Sequence, residues 1–292
     1  MILERSDTSA LIRPAVPADR LAIERLLNYE EYTHRHVDWK LPLDWLGSEP
    51  YLIAQKLGRP AAMIACPPEP AEVAWIRAFA VSSLMSPDRA WDLLWSKALE
   101  TLRRTPDVQR ALTIVLDDWF RDLLVASGFA HSVNIRMLSW ENGLHQLPTP
   151  ANPAPVRPME IADLPAVAAL DRAAFYPLWH HSLGTLQLAL GQCVIATVSE
   201  GPDGITGYSM STASPFGGHL ARLAVHPDAQ GQGIGHALLH DLLTRFQARG
   251  AMRVTVNTQE NNHASLRLYR KAHFHLTGER YAVYEYPLET KN

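Results

Sequence analysis

Arg222–Leu239 reads RLAVHPDAQGQGIGHALL. An apolar strand, Leu220–Val225, runs into a turn at His226-Pro227-Asp228. Gln230-Gly231-Gln232-Gly233-Ile234-Gly235 then opens directly into an amphipathic helix over 233–249. Glycines let the backbone adopt positive φ and approach a ligand closely. The first turn of a helix carries unpaired N–H donors and the positive end of the dipole. Together they make a phosphate cradle that needs no lysine. The same glycines also suit a tight strand-to-helix connection. A dinucleotide-binding unit would place such a loop after its first strand, with an acidic residue about 20 positions on. A P-loop would continue GK[ST], and this loop does not.

Further along, residues 257–274 read NTQENNHASLRLYRKAHF. The two segments together resemble the GNAT family of acyl-CoA-dependent N-acyltransferases. The first carries the family's Q/R-x-x-G-x-G/A mark at Gln230, Gly233 and Gly235, behind an L-x-V-x-P strand end at Leu223, Val225 and Pro227. The second matches N-x-x-A/S-x-x-x-Y at Asn262, Ser265 and Tyr269, closing on Phe274. His273 stands where the family has glycine, and His is among the residues enriched at positive φ. The likeness covers Val156–Leu288. It implies that backbone amides of Gly231, Gln232, Gly233, Ile234 and Gly235, with Gln230, hold the pyrophosphate of acetyl-CoA. It also implies that Leu223, Ala224 and Val225 line the pantetheine arm, Val225 polarising the thioester carbonyl, and that Asn262 contacts the coenzyme.

Amide formation from a thioester needs a neutral amine and a proton for the leaving thiol. A phenol of pKa about 10 stays protonated at pH 7 and can supply it. By resemblance that phenol is Tyr269; by helical spacing alone it is a core tyrosine beside Leu266 and Leu268. Asn262 also suits a helix N-cap. The general base is open among His219, His226 and Glu260. Phe175, Tyr176 and Trp179, beside His180-His181, suggest an acceptor-binding wall that His219 joins. Adjacent His180 and His181 lack partners at ligand spacing, so no metal is expected.

The chain repeats itself at a shift of 144. Ile12-Arg13-Pro14 falls on Val156-Arg157-Pro158, Ala18-Asp19 on Ala162-Asp163, Leu26 on Leu170 and Ala80-Val81 on Ala224-Val225. The clearest break is LPTPANPAPVRP at 147–158, an extended, proline-stiffened segment. The expected organisation is a degenerate domain over 1–147, a linker over 148–155 and a GNAT domain over 156–292. The expected class is α/β: two tandem GNAT-like domains, each a mixed, mostly antiparallel central sheet flanked by helices. The first half has lost the cradle. Ser86, Arg89 and Trp91 fall on Gln230, Gly233 and Gly235, and Pro87 removes a donor. Asp117 and Leu124 fall on Asn262 and Tyr269, while Gly128-Phe129 keeps the terminal pair. Trp39, Trp45, Trp75, Trp91, Trp95 and Trp119 are read as filling the vacated site. Tyr29–His36 is read as a polar-aromatic loop or helix end. The tandem plan is similar to that of the mycothiol synthases, without a motif for a sugar-cysteine acceptor.

The 292 residues suit two domains, and 47% hydrophobic content supplies a core. A net charge of −3 argues against a nucleic-acid binder. No run reaches the roughly 18 apolar residues of a membrane helix, and MILERSDTSA lacks the basic-then-apolar order of a signal peptide. Cys66 and Cys193 sit in apolar runs and cannot form a disulfide framework, so cytoplasm is expected. The expected partners are a small-molecule amine or a peptide amine, with no nucleic acid and no membrane, in a monomer or homodimer. The reading is an acetyl-CoA-dependent N-acetyltransferase. Its rivals are a protein or peptide acetyltransferase and a non-catalytic acyl-CoA sensor.

Overall fold

The structure, a computed structural model, describes residues 10–150, 154–215 and 217–288. The start of the N-terminal stretch, residues 1–9, and residues 151–153 of the proline-rich linker lie outside the described residues.

The first repeat runs β1 (Leu11–Pro14), α1 (Arg20–Tyr29), β2 (Tyr32–Arg35), β3 (Tyr51–Lys56), β4 (Arg59–Ala65), β5 (Val73–Trp75), β6 (Ala78–Val81), α2 (Pro87–Leu102), β7 (Arg110–Val115), α3 (Asp118–Ala126) and β8 (Ala130–Glu141). The second runs β9 (Val156–Pro158), α4 (Leu164–Ala174), α5 (Leu183–Gln192), β10 (Ile195–Gly201), β11 (Gly204–Ser214), β12 (Gly217–Val225), α6 (Ile234–Ala248), β13 (Arg253–Gln259), α7 (His263–Lys271) and β14 (His275–Pro287). The order is the same apart from β2 in one, α5 in the other, and β12 standing where the first repeat has both β5 and β6. The stretch that corresponds to β12 is split in the first repeat: Val73–Trp75 pairs with β7 and Ala78–Val81 with β4 and β2, with Ile76 and Arg77 between them.

The duplication extends to single hydrogen bonds. Arg13 grips Asp19 through two contacts of 2.7 Å, and the Val16 N–H donates to the same carboxylate at 2.8 Å. Arg157 grips Asp163 at 2.7 and 2.8 Å, and the Glu160 N–H donates at 2.8 Å. In both places the carboxylate ends a 3-10 turn and collects a donor left unpaired there. Such a forked Arg–carboxylate pair fixes the angle at which the strand hands over to the helix.

The chain divides into two compact units, Met1–Ser132 with Val283–Asn292, and Val133–Ala282. The division does not fall at the proline-rich segment. Residues 133–141 of β8 belong to the second unit, where β8 pairs antiparallel with β13 from Glu141↔Arg253 to Ile135↔Gln259. Residues 283–288 belong to the first, where Tyr284, Tyr286 and Leu288 join its core and the Leu288 N–H donates to the Gln109 carbonyl at 2.8 Å. The described part of the linker belongs to the second unit. There Leu147 packs against the core cluster that includes Leu239 and Tyr269, and Ala154 against the one formed by Ala229, Ile234 and Leu238.

In the first unit β1-β3-β4-β6-β2 form one sheet, while β5 pairs in parallel with β7. Phe79 and Val81 of β6 face α2, and Ala78 and Ala80 face α1. In the second unit β8, β13, β12, β11, β10 and β9 follow one another across the sheet. Leu238, Leu239, Leu242 and Phe246 of α6 bury one side of it. Gly207 and Gly218 allow this closeness: a Cβ at Gly218 would lie 2.5 Å from the Phe246 ring.

Candidate active site

Strand β12 is paired on both edges only over its first residues. With β13 it forms a parallel ladder at Gly218↔Val254, His219↔Thr255 and Leu220↔Val256, and there the ladder stops. With β11 it stays paired to Val225↔Gly207. The His226 N–H donates to the Thr206 carbonyl at 2.8 Å, which places the backbone groups of Arg222 and Ala224 toward β11. The groups of Leu223 and Val225 therefore turn to the opposite edge, where β13 has diverged. This is a slot with exposed main-chain donors and acceptors.

The slot ends at the glycine loop. Gly231 has φ +79° and Gly233 +87°, the latter as the N-cap of the 15-residue helix α6. Both lie in the left-handed region that glycine enters freely. The Gln230 amide donates to the Val225 carbonyl at 3.3 Å, and that of Gln232 to the Asp228 carbonyl at 3.4 Å, so both side chains brace the loop. A Cβ at Gly235 would lie 3.3 Å from Leu268, so this glycine serves the contact between α6 and α7. Ile234 and Ala224 are buried, Ile234 against Ala229 and Leu238. These positions thus act through the backbone. Positive-φ glycines at a helix N-terminus beside an open strand edge fit a pyrophosphate followed by an amide-bearing arm.

Tyr269 is buried on α7, its ring 5.7 Å from that of Phe274. Burial pushes its phenol above the usual range, so it is fully protonated at neutral pH. Asn262 caps α7, its Oδ1 accepting from the Ser265 N–H at 3.1 Å. This leaves its amide nitrogen outside the cap. His273 takes φ +65°, the left-handed conformation of the glycine it replaces, and the Phe274 N–H closes the turn on the Tyr269 carbonyl at 2.9 Å.

The three base candidates separate. The Glu260 carboxylate accepts from Asn134 at 2.5 Å and lies 3.4 Å from Arg280; these partners hold its pKa low and make it a poor base. His226 Nδ1 accepts from the Asp228 N–H at 3.3 Å and serves the turn. His219 lines a cavity of about 200 Å³ with Met137, Thr212, Arg253, Thr255 and Glu279. Its Nδ1 lies 2.9 Å from Thr255 Oγ1, and burial lowers its pKa, so the ring is neutral at pH 7.

Of the four acceptor candidates only His219 lines that cavity. Tyr176 is exposed. Phe175 lies under the Arg222 guanidinium, 3.8 Å from its ring centroid, and the Trp179 carbonyl accepts from Arg222 at 2.7 Å. Arg222 and its partner Asp171 were not legible as site residues, since nothing local links them across 51 positions. Among the described residues no group of three His, Cys, Asp or Glu is placed to hold a metal, and no helix is long and apolar enough to cross a membrane.

In the first unit the corresponding slot is filled. At the shift of 144, Phe79–Val81 stands for Leu223–Val225, and on that edge β6 pairs with β2: Tyr32↔Val81, Thr33↔Ala80, His34↔Phe79, Arg35↔Ala78. Of Tyr29–His36, read as a loop or helix end, Tyr29 does end α1, while Tyr32–Arg35 form this strand. At the lost cradle Ser86 caps α2 with its own hydroxyl, and Trp91 is buried between Phe79, Trp95 and Phe120, its Nε1 donating to Ser127 at 2.6 Å.

Residues 163–274 match the model of the Acetyltransferase (GNAT) family. No curated protein matches the sequence. Solved structures share the fold at low identity. A GCN5-related N-acetyltransferase from Sphaerobacter thermophilus is 18% identical, over 96% of each chain, with a TM-score of 0.60. A tandem GNAT protein from the clavulanic acid biosynthesis pathway is 14% identical, over 97% of this chain and all of that one, at 0.64. A probable N-acyltransferase from Enterococcus faecalis V583 is 8% identical, over 97% of this chain and 73% of that one, at 0.72. The chain therefore has the fold of tandem GNAT proteins, and its residues 163–274 match the model of the GNAT acetyltransferase family.

Proposed function

We propose that the second half, 156–292, is an acetyl-CoA-dependent N-acetyltransferase acting on a primary amine by direct transfer, and that 1–147 is a degenerate partner without coenzyme. The observation that carries this is the open edge of β12 at Leu223–Val225, leading to the glycine loop in the second half only. Acetyl-CoA supplies an activated acyl thioester. The amides of residues 231–235 hold its pyrophosphate, and the Leu223 and Val225 backbone aligns its amide arm as an added strand would be aligned. The Val225 N–H polarises the thioester carbonyl. Asn262 contributes its amide nitrogen.

The amine enters the cavity beside His219. That cavity is polar, with Thr212, Thr255, Arg253 and Glu279 in its lining, which favours a small polar acceptor over an aromatic one. His219, neutral and steadied by Thr255, takes a proton from the amine. Tyr269 gives its phenolic proton to the departing sulfur. The test is turnover on a panel of small polar amines, followed by free-thiol release. Release with any of them, lost in Tyr269→Phe, supports the reading; coenzyme binding with no release from small or peptide amines leaves a binding module instead.

A further inference from the structure

Asp171 of α4 is fully buried and gathers three elements of the second unit. Its carboxylate accepts from Arg222 of β12 at 2.5 and 2.9 Å, from the Tyr208 hydroxyl of β11, and from the His181 N–H at 2.7 Å. Arg222 also donates to the Trp179 carbonyl at 2.7 Å and covers the Phe175 ring. Both ends of the Phe175–His181 segment are thereby tied to one buried ion pair. Burying a charge pair is costly unless its geometry is well satisfied, and here the fork is filled on both sides.

The first repeat shows the same segment without these ties. At the shift of 144, Leu27 stands for Asp171 and Ala78 for Arg222, and neither carries a charge. There Tyr32–Arg35, the counterpart of Tyr176–Trp179, lies along the edge of β6 as strand β2, with His34 Nε2 3.0 Å from Thr113 Oγ1 of β7. One repeat thus has the latch and an open edge; the other lacks it and has the edge filled by the chain itself.

We infer that Arg222 is a positioning residue: its pairing with Asp171 holds the 175–182 segment off the edge of β12 and so keeps the coenzyme slot open. This rests on the coenzyme reading of that edge. Arg222 does not touch the reacting atoms; its own backbone groups face β11.

The test replaces the latch as a whole, Asp171→Leu with Tyr208→Phe and Arg222→Ala, which copies Leu27 and Ala78 and leaves no buried charge unpaired. Two readouts are taken on the full chain. Acetyl-CoA affinity by calorimetry is expected to fall tenfold or more, with kcat at saturating acetyl-CoA changing less than threefold. Amide hydrogen exchange of a peptide spanning 175–182 is expected to change tenfold or more. A folded variant with either affinity or exchange unchanged overturns the latch. If the triple variant does not fold, Arg222→Lys, which forfeits the fork, is held to the same two criteria. If the parent protein binds no acetyl-CoA, the functional reading fails, and hydrogen exchange alone still decides whether the pair positions the segment.

Discussion

His34 of β2 meets Thr113 of β7 with Nε2 3.0 Å from Oγ1. Strand β2 is paired along β6, so this contact spans the divergence between β6 and β7 from within. The ring is buried and stacked 4.2 Å from Phe120. The chain has thus put a strand of its own along the edge of β6 whose counterpart on β12 stays open in the second repeat, and Trp91 fills the core under α2.

The burial of His34 predicts an acid-sensitive first unit. Burial brings its pKa down to about 4, and that of the neighbouring His36 well below the ordinary value. Each is depressed relative to the unfolded chain, so the unfolded state takes up the proton first. Stability is complete above about pH 6.5 and falls as pH drops toward 4, by roughly 1.4 kcal/mol per pH unit for each such histidine. Denaturant unfolding followed by tryptophan fluorescence should show this slope. His34→Gln should flatten it by about one histidine's share; an unaltered slope contradicts the assignment.

Gly233→Ala tests the cradle. At φ +87° a Cβ costs about 1–2 kcal/mol, and the loop shifts to relieve it. Acetyl-CoA affinity should drop about tenfold or more by calorimetry. Gly233→Trp, with the bulk seen at Trp91, should abolish binding.

Tyr269→Phe preserves the packing against Phe274 and removes only the phenolic proton. Coenzyme affinity should hold within about twofold while kcat falls on the order of 10²-fold. Unchanged turnover across pH 6–9 would show that another group protonates the sulfur.

His219 sets the acid limb. Burial lowers its pKa, so the ring stays unprotonated below the usual 6.5 and the rate should fall only at pH values under that point. His219→Gln should cost about 10²-fold in kcat and remove that limb from the pH profile. A limb that persists in the variant assigns the base elsewhere.

Much of this was readable in the chain because it is local or periodic. The glycine loop lies within six consecutive residues, and the repeat announced itself through Arg13-Pro14 and Arg157-Pro158, whose arginines make the same fork in both halves. His273 at positive φ followed from its place after α7. What escaped depends on pairing between distant positions. Tyr32–Arg35 is too short and polar to declare itself a strand until β6 presents an edge. Arg222 and Asp171 look like ordinary charges on a strand and a helix; only burial makes them a pair. The change of partner at Ile76-Arg77 is of the same kind: the Ile76 N–H still donates to the Leu112 carbonyl of β7, while Ala78–Val81 pairs with β4 and β2.

The central claim is that one repeat of the two binds coenzyme. Calorimetric titration of the intact protein with acetyl-CoA measures it directly. The account predicts one site per chain, lost in Gly233→Trp. Two sites would mean that β2 and Trp91 do not close the first unit, and no binding would contradict the coenzyme slot in the second.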